Sequence, residues 1–329
     1  MIRTPLLEIE PRGFESVPFG CHSGGRGIPL KLADLWQTIY PVGMRRFFYA
    51  IFVMAAVVFA VGKSWHVAKD GFHILRTHFP LEETPTEPLS KEALAALQQN
   101  YRYLGRGHQC YAFESTDGLY VLKLIRADRY ELPFWLKQVS WLKKRQKKKE
   151  TDIQRRCQFL KASFVLAAHP LRSVTGIVAM HLGKTSEIHH TATIIDRLGR
   201  RYYLDLDQTA FILQKKKALM MPQIAEAIRS KNTERAKLIL NAFLELIQIR
   251  SNHGIFNKDP SFLKNFGYDA EGAFQIDIGS FYYKTTPPNT TRDAFRETTH
   301  HVFVWLHGQN ATLADWFQDR CEEIQKTWD

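Results

Sequence analysis

"YLGRGHQCYAFESTDGLYVLKLIR", Tyr103 to Arg126, holds two closely spaced glycines, an Asp-Gly dipeptide at its middle and a lysine inside an otherwise apolar run. Asp-Gly between alternating apolar residues is a strong short-range hairpin signal, so residues 101 to 126 read as two strands joined at Asp117-Gly118. A two-residue turn there sets Lys123 opposite Ala112, just past the glycine segment. Lys123 shares a strand face with Leu119, Val121 and Ile125, where a charge is costly unless an anion meets it. Gly105 and Gly107 let backbone N–H groups come close to a ligand. A lone G-x-G marks a bulge as readily as a cradle, but beside a lysine at this offset it points to phosphate, and so to a nucleotide.

The second constellation is "NHGIFNKDPSFLKNFGYDAEGAFQIDIGSF", Asn252 to Phe281. Residues 264–268 and 273–278 can pair across Asp269 to Gly272, which sets Asn265 opposite Ile276 and within reach of Asp277. An amide and a carboxylate meeting at a strand end are hard oxygen ligands suited to Mg²⁺, although such a pair can also simply cap a hairpin. Asp259 lies on the loop feeding this hairpin and is the candidate to orient an attacking hydroxyl.

On these residues the chain resembles the protein-kinase-like superfamily over roughly 101 to 281. "LGRGHQCYAF" resembles the glycine-rich loop, "YVLK" the strand ending in the ATP-binding lysine, "HGIFNKDPSFLKN" the catalytic loop and "DIG" the metal-binding D-F-G triplet. The chain also resembles uncharacterised bacterial membrane-anchored kinase-like proteins in which K-D-P, N-F-G and Q-I-D-I-G recur. The resemblance implies ATP and Mg²⁺ as cofactors, with Gly105, Gly107 and Lys123 at the phosphates, Asp259 as catalytic base, and Asn265 and Asp277 as metal ligands. It also implies a partner for Lys123 from the helix after its strand, Glu150 in preference to Glu131, and a hinge in "FILQKKKAL" where backbone groups of Gln214, Lys215 and Lys216 meet adenine. There are departures. Cys110 replaces the third glycine of the loop, and Ile255 follows His253-Gly254 where sugar and antibiotic kinases of the superfamily carry an aspartate. Asp259 to Asn265 is one residue longer than the H-R-D-L-x-x-x-N pattern allows. No A-P-E triplet follows Asp277, which argues against a regulated protein kinase of the usual layout.

The whole chain bounds these readings. Its 329 residues, 45% apolar and 24% charged, suffice for one or two folded domains. A formal charge of +12 favours an anionic partner. Four scattered cysteines form no C-x-x-C pair, so neither disulfides nor a structural metal site is expected. No helix-turn-helix, RRM or zinc signature appears, which argues against nucleic acid.

Residues 1–44 read as a flexible tail rich in Pro, Gly and Ser. Residues 45–63 read as a transmembrane or signal-anchor helix, because Phe47 to Gly62 carries no charge and is flanked by Arg45, Arg46 and Lys63. Started at Met44, the same stretch would resemble a signal peptide. The basic residues on its two sides balance, so the positive-inside rule does not orient it. Residues 64–100 read as a linker rich in Pro and acid, ending in a helix-start signal at Ser90. Residues 101–213 and 214–329 read as two lobes. A long basic helix is expected over about 131 to 168, and its run Lys143 to Glu150 is either a solvated face or a contact for anionic lipid.

The expected fold is α+β: a bilobal protein-kinase-like fold with a strand-rich N-lobe and a short helical C-lobe, preceded by a transmembrane helix. The expected function is an atypical ATP-dependent kinase that phosphorylates a hydroxyl acceptor, protein or small molecule, at a membrane reached through residues 47–62. If active, its catalytic domain belongs on the cytoplasmic side, where ATP is. The competing class is a membrane-tethered pseudokinase acting as a binding or scaffold module.

Overall fold

The computed structural model describes residues 42–79, 88–138, 143–259, 261–284 and 290–328. The expected tail lies outside them apart from its last residues, as do residues 80–87 of the acidic stretch. The chain divides into two compact units, Met1–Val61 and Gly62–Asp329.

Helix α1 (Val42–Ala68) carries no charged residue between Phe47 and Gly62. Its stretch Arg46–Ala68, 23 residues, is wholly exposed, and an 18-residue window within it has mean hydropathy 2.0. At helical rise this is about 34 Å, against roughly 30 Å of hydrocarbon core. One helix is therefore long and apolar enough to cross a membrane, and it is longer than the uncharged run 47–62 visible in the sequence.

The unit Gly62–Asp329 is mixed α+β. It opens with α2 (Lys91–Leu97), β1 (Asn100–Arg106), β2 (Cys110–Ser115) and β3 (Tyr120–Ile125). Then come α3 (Phe134–Gln138), α4 (Lys143–Ala168), the single turn α5 (Arg172–Thr175), β4 (Ile177–His181), β5 (Thr191–Ile195), β6 (Arg201–Asp205) and β7 (Phe211–Lys215). The remainder is α6 (Met220–Arg229), α7 (Thr233–Asn252), β8 (Ile255–Asn257), the turn α8 (Phe262–Asn265), β9 (Phe266–Asp269), β10 (Gly272–Gln275), β11 (Phe281–Tyr283), α9 (Thr290–His307) and α10 (Ala311–Lys326).

Seven strands form one sheet in the order β4-β7-β3-β2-β1-β5-β6. Where two strands were expected over 101 to 126 there are three, because the glycine segment breaks the first run between Arg106 and Cys110. The second pair closes through a four-residue loop, 116–119, in place of the two-residue turn expected, yet keeps the expected register: Gly118 N–H donates to the Ser115 carbonyl at 3.0 Å, Gly118 takes a left-handed φ of 74°, and Asp117 Oδ1 accepts the N–H of Leu119.

Alternation along the central strands feeds two separate cores. Leu122, Leu124, Phe211 and Leu213 pack on one face with Ala93, Ala96 and Leu97 of α2, while Ile125 and Ile212 face the other, with α4, α6, α7 and the terminal helices. Lys123 lies on this second, helix-covered side.

Of the linker expected over 64–100, the described parts near Phe72 and over Ser90–Asn100 pack into the fold. Phe72, only 2% exposed, sits among Tyr103, Tyr111, Phe113 and Tyr202 with ring centroids 5.1 to 5.8 Å away. Ser90 caps α2, its Oγ accepting the Ala93 N–H at 3.1 Å. Residues 69–79 and 90–100 are part of the fold because their few apolar residues cover a sheet face that would otherwise be bare. The expected lobe boundary at 213/214 falls inside β7, and the chain leaves the sheet only after Lys215.

Candidate functional site

The register of β2 on β3 sets Ala112 against Lys123, as the hairpin turn requires. From there the Lys123 ammonium reaches across to donate to the carbonyl of Ile276 at 2.6 Å, a contact between residues 153 apart in sequence. Burial pushes its pKa below the ordinary lysine value, while the carboxylate of Asp277 pulls the other way. The Cys110 thiol in the same spot is pushed up to about 12 by burial, so it is a neutral neighbour and no nucleophile.

Asp277 is held by the hairpin β9–β10 beyond its last paired residues. The N–H of Ile276 donates to the carbonyl of Asn265 at 2.7 Å, which sets Asn265 and Asp277 side by side. Asn265 is buried, and its Nδ2 donates to the carbonyl of Asp259 at 3.0 Å. That bond leaves Asn265 Oδ1 without a hydrogen-bond partner among the described residues. Asp277 Oδ1 accepts weakly from the N–H of Gly279 at 3.3 Å. An amide oxygen and a carboxylate with unused lone pairs make a hard donor set that fits Mg²⁺. Asp259 is exposed; its N–H donates to Asn257 Oδ1, and its own Oδ1 accepts from Ser261 N–H at 3.2 Å.

The glycine segment is open. A Cβ built on Gly105 would meet nothing within 4 Å, and one on Gly107 would only touch the Cys110 carbonyl at 3.4 Å. The pairing of β1 with β2 slips between Tyr103 and Gly105, so Gly105 sits at a β-bulge, and the open space beside it leaves room for a ligand to approach. The segment is pinned at its base, where the N–H of Arg126 donates to the Gln109 carbonyl at 2.8 Å and Arg126 Nη1 to the Gly107 carbonyl at 3.2 Å.

Two expectations are corrected. Glu150 is exposed among the basic residues of the first turns of α4 and does not meet Lys123, whose hydrogen-bond partner is the Ile276 carbonyl. The cause is the charge of those turns: the buried positions of α4 begin only at Ile153. Of the backbone groups expected to meet adenine, the N–H groups of Lys215 and Lys216 are committed elsewhere, to the carbonyls of Gly176 and Leu119, both at 2.8 Å. Gln214 is buried with its Nε2 donating to the carbonyls of Thr175 and Gln275. It acts as a brace between the sheet and the hairpin.

Three further residues shape the site. Ser163 of α4 donates to the Ile278 carbonyl at 2.6 Å and accepts the Phe281 N–H at 2.7 Å, fixing both ends of the Ile278-Gly279-Ser280 turn. Gln109 donates to the Gly279 carbonyl at 2.8 Å, and a Cβ on Gly279 would strike its side chain at 1.5 Å. Asn257 orients Asp259 and leaves its buried Nδ2 unpaired among the described residues. Asn257 was detectable as an Asx turn in "FNKDP". Ser163 and Gln109 carry no local signal, since their partners lie 115 and 170 residues away.

No protein-family model matches the chain, and no curated protein does. Among solved structures it is similar to the crystal structure of WbdD at 2.2 Å, with a TM-score of 0.33 and 14% identity over 66% of this chain and 44% of that one. A co-crystal structure of WbdD with the kinase inhibitor LY294002 gives 0.34 and 14% over 67% and 45%. A structure of the bifunctional kinase-methyltransferase WbdD gives 0.30 and 15% over 65% and 43%. The chain thus spans less than half the length of these structures, and a likeness of this size leaves fold and function to be argued from its own residues.

Proposed function

We propose that this chain is a membrane-tethered, ATP-dependent phosphotransferase of the bilobal protein-kinase-like class, moving the γ-phosphate of Mg-ATP to a hydroxyl acceptor. The observation that supports this most directly is the 2.6 Å bond from Lys123 Nζ to the Ile276 carbonyl, which holds a desolvated ammonium next to Asp277 and one hairpin register from Asn265. Lys123 lies on the third strand of the sheet, the context that the A-x-K-type lysine of kinases requires.

In this reading Asn265 and Asp277 hold Mg²⁺, which would neutralise charge on the phosphates. Lys123 exchanges its carbonyl partner for phosphate oxygens, and the open backbone at Gly105 and Gly107 covers them. Asp259, fixed by Asn257 and tied through its carbonyl to Asn265, accepts the proton of the attacking hydroxyl. Helix α1 anchors the domain by a single span, with the domain on the ATP-bearing side. The binding-module alternative draws on Cys110, on Ile255 and on the exposure of Asp259.

The deciding experiment is Mg-ATP turnover with water as the default acceptor. Slow hydrolysis that falls by about a hundredfold or more in both Asp259→Ala and Asp277→Ala supports phosphotransfer. Nucleotide binding with no turnover, in wild type and variants alike, favours the binding module.

A further inference from the structure

Charge is divided unevenly along α4. Of the fourteen residues from Lys143 to Arg156, eight are basic and two acidic, and Ile153 alone is buried. Lys143, Lys144 and Arg145 follow one another with no acid among them. Lys143 with Lys147, Lys144 with Lys148 and Arg145 with Lys149 are like charges one turn apart, each pair destabilising the helix. Among the described residues, Arg155 alone of the eight faces a carboxylate, Asp152 at 3.5 Å. Arg145, Lys148, Lys149, Arg155 and Arg156 gather about one open concavity with Asp152. Packing needs only the other half of the helix, where Leu160, Ser163, Phe164, Ala167 and Ala168 are buried. A helix face kept merely for solubility would mix signs. Eight cations against two acids, with like charges stacked one turn apart, call for an external polyanion.

We propose that the basic half of α4, Lys143 to Arg156, docks on an anionic lipid surface. The choice of lipid over other polyanions rests on the membrane reading of α1 given above and is independent of phosphotransfer: a domain covalently tied to a bilayer meets headgroups at high local concentration. A helix carrying a cluster of this size gains enough from negatively charged headgroups to bind, and loses the gain with salt.

The test is amide hydrogen exchange of the full chain in lipid nanodiscs, either of phosphatidylcholine alone or with about one-third phosphatidylglycerol. The proposal expects exchange across 143–156 to slow by about tenfold in the anionic discs and to recover near ~1 M salt. Lys148→Gln with Arg155→Gln should abolish most of the slowing, while unchanged exchange at 160–168 shows that α4 still folds. Equal exchange in neutral and anionic discs overturns the proposal. Greater slowing by an RNA or DNA oligonucleotide added to neutral discs also overturns it, in favour of nucleic acid. Loss of the chain from neutral discs would instead overturn the reading of α1, and with it the choice of lipid.

Discussion

Replacing Ser163 by alanine removes a single oxygen that serves two backbone groups. Its hydroxyl donates to the Ile278 carbonyl at 2.6 Å and accepts from the Phe281 N–H at 2.7 Å, and the residue is fully buried. Alanine fills the same space without a polar atom, so no cavity of consequence forms and the change is confined to hydrogen bonding. A buried donor or acceptor left unpaired costs about 1–3 kcal/mol, and two are orphaned here. Some relaxation toward water is open to the turn, so a loss of about 2–4 kcal/mol is expected. For a unit of this size that lowers Tm by roughly 5–12 °C. Thermal unfolding of residues 62–329 followed by circular dichroism measures it, with the exposed Gln158→Ala on the same helix as a control expected to change stability by less than about 0.5 kcal/mol. The turn carries Gly279, whose N–H meets Asp277, so nucleotide-dependent stabilisation should weaken in the same variant. If Ser163→Ala matches the control in stability, the claim that α4 holds the Asp277 loop is wrong.

Two other outcomes follow from the same geometry. Phe72→Ala should destabilise the domain by about 3–4 kcal/mol through loss of the ring at the centre of an aromatic cluster, and a fragment beginning at residue 90 should unfold more readily than one beginning at 62, both read from urea midpoints. Asp207 accepts from Thr185 Oγ1 and from the N–H groups of Glu187, Ile188 and His189; burial raises its pKa, but these bonds outweigh that and hold it at about 2. Its stabilisation is therefore complete above the ordinary carboxylate pKa and lost as pH falls toward 2, an amount of about 1–2 kcal/mol once solvent screening is allowed for. Asp207→Asn should accordingly be less stable than wild type at pH 7, with the gap closing toward pH 2; a gap independent of pH between 7 and 2 would contradict this.

What the sequence discloses here depends on how far apart the partners lie. The placement of Lys123 and the pairing of Asn265 with Ile276 each follow from one turn and simple alternation, and the observed registers agree with both. Glu150 fails because helical position alone does not say which half of a long helix is buried, and the charges of residues 143–156 keep that half in solvent. The segment 64–100 misleads because Pro and acid dominate its composition while Phe72, Ala93, Ala96 and Leu97 do its packing. Arg250 illustrates the remaining limit. It is fully buried at the end of α7, hydrogen-bonded to Gln275 and Thr298, with burial lowering its pKa to about 10. In sequence it is one more basic residue on an amphipathic helix, and only the folded C-terminal helices enclose it.

The most direct test of the nucleotide site is Mg-ATP-dependent thermal stabilisation of residues 62–329, measured for wild type, Lys123→Ala and Asp277→Ala. With nucleotide at about a hundred times its dissociation constant, the wild type should gain about 2.7 kcal/mol and unfold roughly 5–10 °C higher. Both variants should lose that shift while remaining folded. A folded wild type that gains nothing from Mg-ATP, or variants that gain as much as the wild type, would contradict the account.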